Sequence, residues 1–215
     1  MRSNVCPISG QSEKEELFNT ITHFIGFVLS LIGFFYLIMI SVKAENPWAV
    51  VSSSVYGVTL VLLYAASTYY HGCKTPKQKQ TLKVIDHACI YLLIAGSYTP
   101  FTLGPLREFG GSNIMTIEWT IAIIGISLKL INVEKFQTLS LLAYLGMGWL
   151  VVFSYETLMS QMPTNAIMWL VIGGLSYTFG TIFYICDKLP YNHGIWHLFV
   201  LFGSISHYFC VLLII

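Results

Sequence analysis

The sequence predicts an all-α polytopic membrane protein, a bundle of seven transmembrane helices, on three observations. Charge is sparse: 10% of residues are charged, against 55% hydrophobic and 15% aromatic, a balance that a water-soluble domain of this length does not normally carry. The apolar residues gather into charge-free runs of the length a bilayer demands, roughly 20 residues, because the hydrocarbon core is about 30 Å thick and a helix rises about 1.5 Å per residue. The runs also lack the period-two alternation of a barrel and exceed the roughly 10 residues of a tilted spanning strand.

Taken in order, residues 1–18 are polar, with Glu13, Lys14, Glu15 and Glu16 ahead of the first apolar run. They are expected to form a cytoplasmic N-terminal segment and not a cleaved signal peptide, since no small-residue cleavage site follows a short apolar core. The spans are expected near 20–42, 48–71, 84–104, 114–131, 136–155, 166–186 and 193–215, making residues 19–215 one transmembrane domain. Lys43 and Glu45 separate the first two, and the lysine-bearing segment 72–83 separates the second and third. The third opens on Asp86 and His87, with Pro100 inside it to kink it or to free carbonyls. Pro105 to Asn113 is turn-rich, and Pro163-Thr164-Asn165 breaks the 30-residue uncharged run from Thr157 to Cys186, so span six is expected to start near Ala166. Gly146 and Gly148 in span five, and Gly173, Gly174 and Gly180 in span six, permit close helix approach.

Cytoplasmic loops are enriched in Lys and Arg. With seven spans, the N-terminus and the even-numbered loops hold Arg2, Lys14, Lys74, Lys77, Lys79, Lys83, Lys129, Lys135 and Lys188, whereas the other side holds only Lys43 and Arg107. The N-terminus is therefore expected to be cytoplasmic and the C-terminus on the opposite side. A formal net charge of +1 gives no reason to expect a nucleic-acid partner. The five cysteines form no CxxC pair and no even set, and are expected to be free thiols.

Five of the six histidines fall at helix ends on the lysine-rich side: His23, His71, His87, His193 and His197. Ionisable groups at membrane depth are costly and mark an interior with partners. His193 and His197 are spaced i, i+4, so both imidazoles share one helix face and are ready to hold one ion. Ser67 stands one turn from His71, either bonding a ligand or its own helix carbonyl, and Asp86 supplies a carboxylate that alternatively caps a helix start. The three histidines His71, His193 and His197 with an open fourth position match a catalytic-type zinc arrangement, with Asp86 placed to take a proton. His87 faces about 100° away from Asp86 and is not expected to be a ligand. His207 is roughly 15 Å along its helix from His197 and is read as a buried hydrogen-bonding residue or a cavity-lining one. Glu16, Asn19 and His23 share one face of the first helix, either as a gate beside the ligands or as a helix-start network.

These residues resemble the hemolysin III family, the bacterial branch of the progestin and adipoQ receptor (PAQR) proteins. The likeness lies in Glu16-Leu17-Phe18-Asn19-Thr20-Ile21-Thr22-His23, in Ser67-Thr68-Tyr69-Tyr70-His71, in Asp86-His87-Ala88-Cys89-Ile90-Tyr91 with Ala95 to Phe101 following, and in His193-Gly194-Ile195-Trp196-His197 ending at His207. It spans nearly the whole chain. The resemblance implies zinc held by His71, His193 and His197, with Asp86 and Ser67 beside it. It also implies a bacterial inner or plasma membrane and a lipid substrate or ligand. Three functions follow as expectations: zinc-dependent hydrolysis of a lipid amide or ester, ceramidase-like and linked to membrane lipid homeostasis; a sensor of membrane fluidity with structural zinc; and a cytolysin, which the scarcity of polar surface argues against.

Overall fold

The computed structural model describes residues 5–186 and 188–215, so Arg2, counted above on the lysine-rich side, lies outside the described residues. The described residues are helical apart from short connections and one isolated bridge, Val5 to Ser12. The helices are α1 (Glu13–Lys43), α2 (Pro47–Gly72), α3 (Pro76–Leu103), α4 (Gly111–Ile131), α5 (Gln137–Trp149), α6 (Tyr155–Gln161), α7 (Thr164–Ile185) and α8 (Asn192–Leu212). A 3-10 turn, Leu150–Ser154, joins α5 to α6 in one rod.

Local chemistry sets the ends. Ser12 and Glu15 form a reciprocal capping box that starts α1. Asn46 accepts from the Trp48 amide and Pro47 occupies the first turn of α2, while Pro76 does so for α3. Gly110 takes φ +83° to turn the chain into α4, a conformation that glycine adopts without strain. The expectation for the third span differs from what is seen. α3 begins at Pro76, and only residues 73–75 separate it from α2. The charge-free run marks only the apolar part of a helix whose first turns carry Lys77, Lys79 and Lys83. Asp86 therefore lies about 15 Å inside α3 by helical rise, and it does not cap the helix.

Among the described residues six rods are long and apolar enough to cross a membrane; α3, less apolar along its length, is not among them. It is long enough, but neighbours cover it: Asp86, Cys89, Tyr91, Ala95, Thr99 and Thr102 are all buried. A helix shielded by protein need not be apolar on every face. Elsewhere the usual distribution is inverted. Ile32, Phe35, Ile123 and Phe153 are exposed, while Ser41, Ser53, Thr59 and Glu118 are buried. Such an apolar exterior is stable only in lipid.

Neighbouring helices pack in sequence from α1 to α4, α7 packs on α8, and α8 returns to α1. α5 touches α3, α4 and α7. With no hydrophobic force between helices in lipid, polar links and small residues hold the bundle. Ser41 and Ser53 bond across α1 and α2 at 2.7 Å, Tyr64 donates to Ser204 at 2.8 Å, and Ser176 donates to the Phe199 carbonyl at 2.8 Å. Of the glycines expected at helix contacts, Gly173 and Gly180 abut His207 and Phe199 of α8. Gly146, Gly148 and Gly174 instead face open space, the last two lining cavities. The five cysteines are free.

Candidate metal centre and adjoining cavity

His71 ends α2, and His193 and His197 open α8, so their approach requires the second and last rods to meet at one end of the bundle. They do meet. One ligand-capable atom from each of the three lies within 4.8 Å of the others, a group able to hold a metal ion. The Nε2 atoms of His71 and His193 are buried and have no hydrogen-bond partner. An unpaired buried polar atom is costly, and a cation is one group that could satisfy two such atoms lying so close together.

The other ring nitrogens are held in place. Nδ1 of His71 donates to a Glu16 carboxylate oxygen at 2.7 Å, which fixes the tautomer and leaves Nε2 bare. The second Glu16 oxygen meets the Lys79 ammonium at 3.0 Å. Lys79 in turn donates to the Tyr70 and His71 carbonyls at 2.9 and 3.2 Å, occupying acceptors that the end of α2 leaves open. Nδ1 of His197 lies 3.4 Å from the Thr22 hydroxyl. Thus α1 and α3 supply the groups that orient the histidines on α2 and α8. The 5–12 segment folds over this end: Ser9 bonds Glu16, Gln11 bonds Asn19, and Lys83 donates to the Ile8 carbonyl at 3.0 Å.

His23 stacks on His197 with ring centroids 3.5 Å apart, and neither of its nitrogens has a partner. It borders an interior cavity that also receives Ser67, Asp86 and Trp196. The Ser67 hydroxyl is buried and has no hydrogen-bond partner among the described residues. The cavity extends from these residues to Phe101, Leu170 and His207. The arrangement sets three imidazoles beside an apolar chamber that holds one acid and one free hydroxyl.

The structure therefore brings the three expected histidines together and sets Ser67 and Asp86 in one cavity. His87 stays apart, with Nδ1 on the Lys83 carbonyl at 2.8 Å. His207 both bonds the Leu170 carbonyl, at 3.3 Å, and lines the cavity. Of the α1 face, Glu16 is tied to a histidine of the group and His23 to the chamber. Lys79 was not anticipated as part of the site: in the sequence it is one of several lysines near the start of α3, and only its burial distinguishes it.

Comparison with known proteins identifies the family of the chain. The family described as Haemolysin-III related matches residues 11–208. The chain is 44% identical to the hemolysin-3 homolog of Bacillus subtilis (strain 168) over 93% of each protein. It is 45% identical to hemolysin-3 of Bacillus cereus, over 94% of this chain and 92% of that one. Human monocyte to macrophage differentiation factor is 31% identical over 92% of this chain and 83% of its own length. The chain belongs to the haemolysin-III-related family, within the PAQR superfamily.

Proposed function

We propose that the protein is a zinc-dependent hydrolase that cleaves an amide or ester bond of a membrane lipid from within the bilayer. The observation that carries this reading is the convergence of two unpartnered buried imidazole nitrogens beside a chamber holding Asp86 and Ser67. The donor set suits zinc: three neutral imidazoles, one of them backed by a carboxylate, with room for a fourth ligand. Bound zinc supplies Lewis acidity toward a carbonyl and toward water.

The chain's own residues do the rest. Glu16 and Lys79 hold His71 in register. Asp86 takes the proton of the attacking water as its oxygen joins the carbonyl carbon, then returns it to the nitrogen or oxygen that leaves as the carbon–heteroatom bond breaks. Ser67, whose buried hydroxyl has no partner of its own, orients the water or the carbonyl oxygen as it gains charge. The apolar walls admit an acyl chain and keep bulk water out. In the same reading α3 completes seven spans, the histidine end faces the cytoplasm, and the protein resides in the bacterial plasma membrane.

Metal analysis of purified protein tests this. The expected result is about one zinc per chain, lost in the His193→Ala/His197→Ala variant while the fold persists in a thermal-shift assay. Asp86→Asn is expected to keep the metal and abolish release of fatty acid from a lipid extract. Retained turnover would sink the role of Asp86, and a folded parent that takes up no zinc would sink the mechanism.

A second reading, a lipid-responsive regulator in which zinc is structural, is favoured by one observation. The Glu16–His71–Lys79 network joins α1, α2 and α3, so a metal held by His71 together with His193 and His197 would pin all three to α8. That reading expects a sharp loss of thermal stability on chelation and no lipid product from any extract.

A further inference from the structure

The cavity beside the histidines has polar groups free for a ligand at both of its ends and none between. Its middle wall carries several hydroxyls, but each is turned onto protein. Ser97 donates to the Ile94 carbonyl at 2.8 Å, Tyr98 to that of Met147 at 2.7 Å and Tyr144 to that of His87 at 2.9 Å. Thr181 donates to the Thr178 carbonyl at 2.7 Å, and Tyr177 pairs with Ser204 at 2.8 Å. At the near end, Ser67 and His23 have polar atoms without partners.

At the far end stands His207. Its Nε2 contacts the Leu170 carbonyl at 3.3 Å. A carbonyl only accepts, so the hydrogen is on Nε2, and in the neutral ring Nδ1 is a bare acceptor. Among the described residues Nδ1 has no hydrogen-bond partner. The Nε2 edge of the ring lies against Gly173 of α7, where a Cβ would overlap it. The ring is thus fixed by its α7 side, and Tyr177 meets it edge-on with centroids 5.3 Å apart. Trp196 lines the near part of the chamber, and His207 lies eleven residues further along α8, roughly 16 Å by helical rise.

We infer that His207 is a second polar subsite, and that the chamber takes an amphiphile with a hydroxyl donor at the far end of its chain from the group presented to Asp86 and Ser67. This deepens the hydrolase reading, and rests on it in taking the chamber as the place where the lipid lies. An apolar chain fits the middle wall, whose hydroxyls are all engaged. A terminal hydroxyl satisfies Nδ1, which a plain methyl end leaves unpaired.

The test compares dodecanoic acid with ω-hydroxydodecanoic acid, binding to the metal-loaded protein being followed by its intrinsic tryptophan fluorescence, to which Trp196 in the chamber wall contributes. Chelated protein is run in parallel. The parent is expected to bind the hydroxy acid about tenfold more tightly, the worth of one buried hydrogen bond. His207→Phe is expected to lose that preference, whereas His207→Asn, which keeps a polar atom near the Nδ1 position, retains part of it. Thermal-shift curves establish that both variants fold. Equal binding of the two acids by the parent, or an undiminished preference in the phenylalanine variant, overturns the subsite and leaves the hydrolase reading standing. If neither acid binds the parent, subsite and lipid chamber fall together. Binding with the hydroxyl preference intact, but without lipid turnover, overturns hydrolysis alone.

Discussion

Glu16 divides its carboxylate between the His71 imidazole and the Lys79 ammonium, and both contacts are buried. Charges at this depth must be paired, and removing one partner leaves the other stranded. Lys79→Met is accordingly expected to cost about 3–5 kcal/mol of stability, seen as a lowered melting temperature, because the buried Glu16 carboxylate then keeps only the histidine and the neutral Ser9 hydroxyl and loses its cation. Adding Glu16→Gln should recover part of the loss, a coupling that a double-mutant cycle measures. Glu16→Gln alone is expected to weaken zinc binding by about 10–100-fold in competition with a chelator. Much at this scale was legible in the sequence. The i, i+4 spacing of His193 and His197 and the depth shared with His71 followed from helix geometry and charge bias. The part played by Lys79 did not, since a lysine in a lysine-rich segment carries no sign of the direction in which its side chain folds.

At the level of elements, the break between α5 and α6 has an identifiable partner. Tyr98 donates to the Met147 carbonyl at 2.7 Å and receives the Val151 amide at 2.8 Å, so one phenol serves backbone groups at the 3-10 turn. Tyr98→Phe is expected to lower stability by about 1–3 kcal/mol and to speed hydrogen exchange at the Val151 amide. Unchanged exchange there would show that the turn holds itself. The sequence indicated a single span over 136–155, because a 3-10 turn of apolar residues has the same hydropathy as the helix around it. The start of α3 escaped for the opposite reason. Hydropathy sees where lipid begins, and a helix that projects beyond the lipid continues on propensity and on the cap supplied by Pro76. The order and number of rods were readable from the charge-free runs, whereas their ends depended on local hydrogen bonding.

For the whole molecule, the placement of charge proposes a direction across the membrane. A variant whose only cysteine is Cys73, in the connection between α2 and α3, is expected to react with an impermeant maleimide in inside-out vesicles and not in right-side-out ones. A cysteine introduced by Ser112→Cys, at the exposed start of α4, is expected to show the reverse. Matching accessibility of the two would refute an odd path of the chain between them. The inverted exterior was evident from composition, but the closure of the bundle by contact between α8 and α1 was not, since nothing in a single sequence pairs its first rod with its last. That closure has a consequence for how the protein is made. Glu16 emerges from the ribosome early, His71 later, and His193 and His197 almost last. A chain synthesised from its N-terminus therefore holds an incomplete histidine group through nearly all of its insertion, and on the proposed zinc reading metal capture falls at the end of biogenesis and marks a chain whose last helix has found its first.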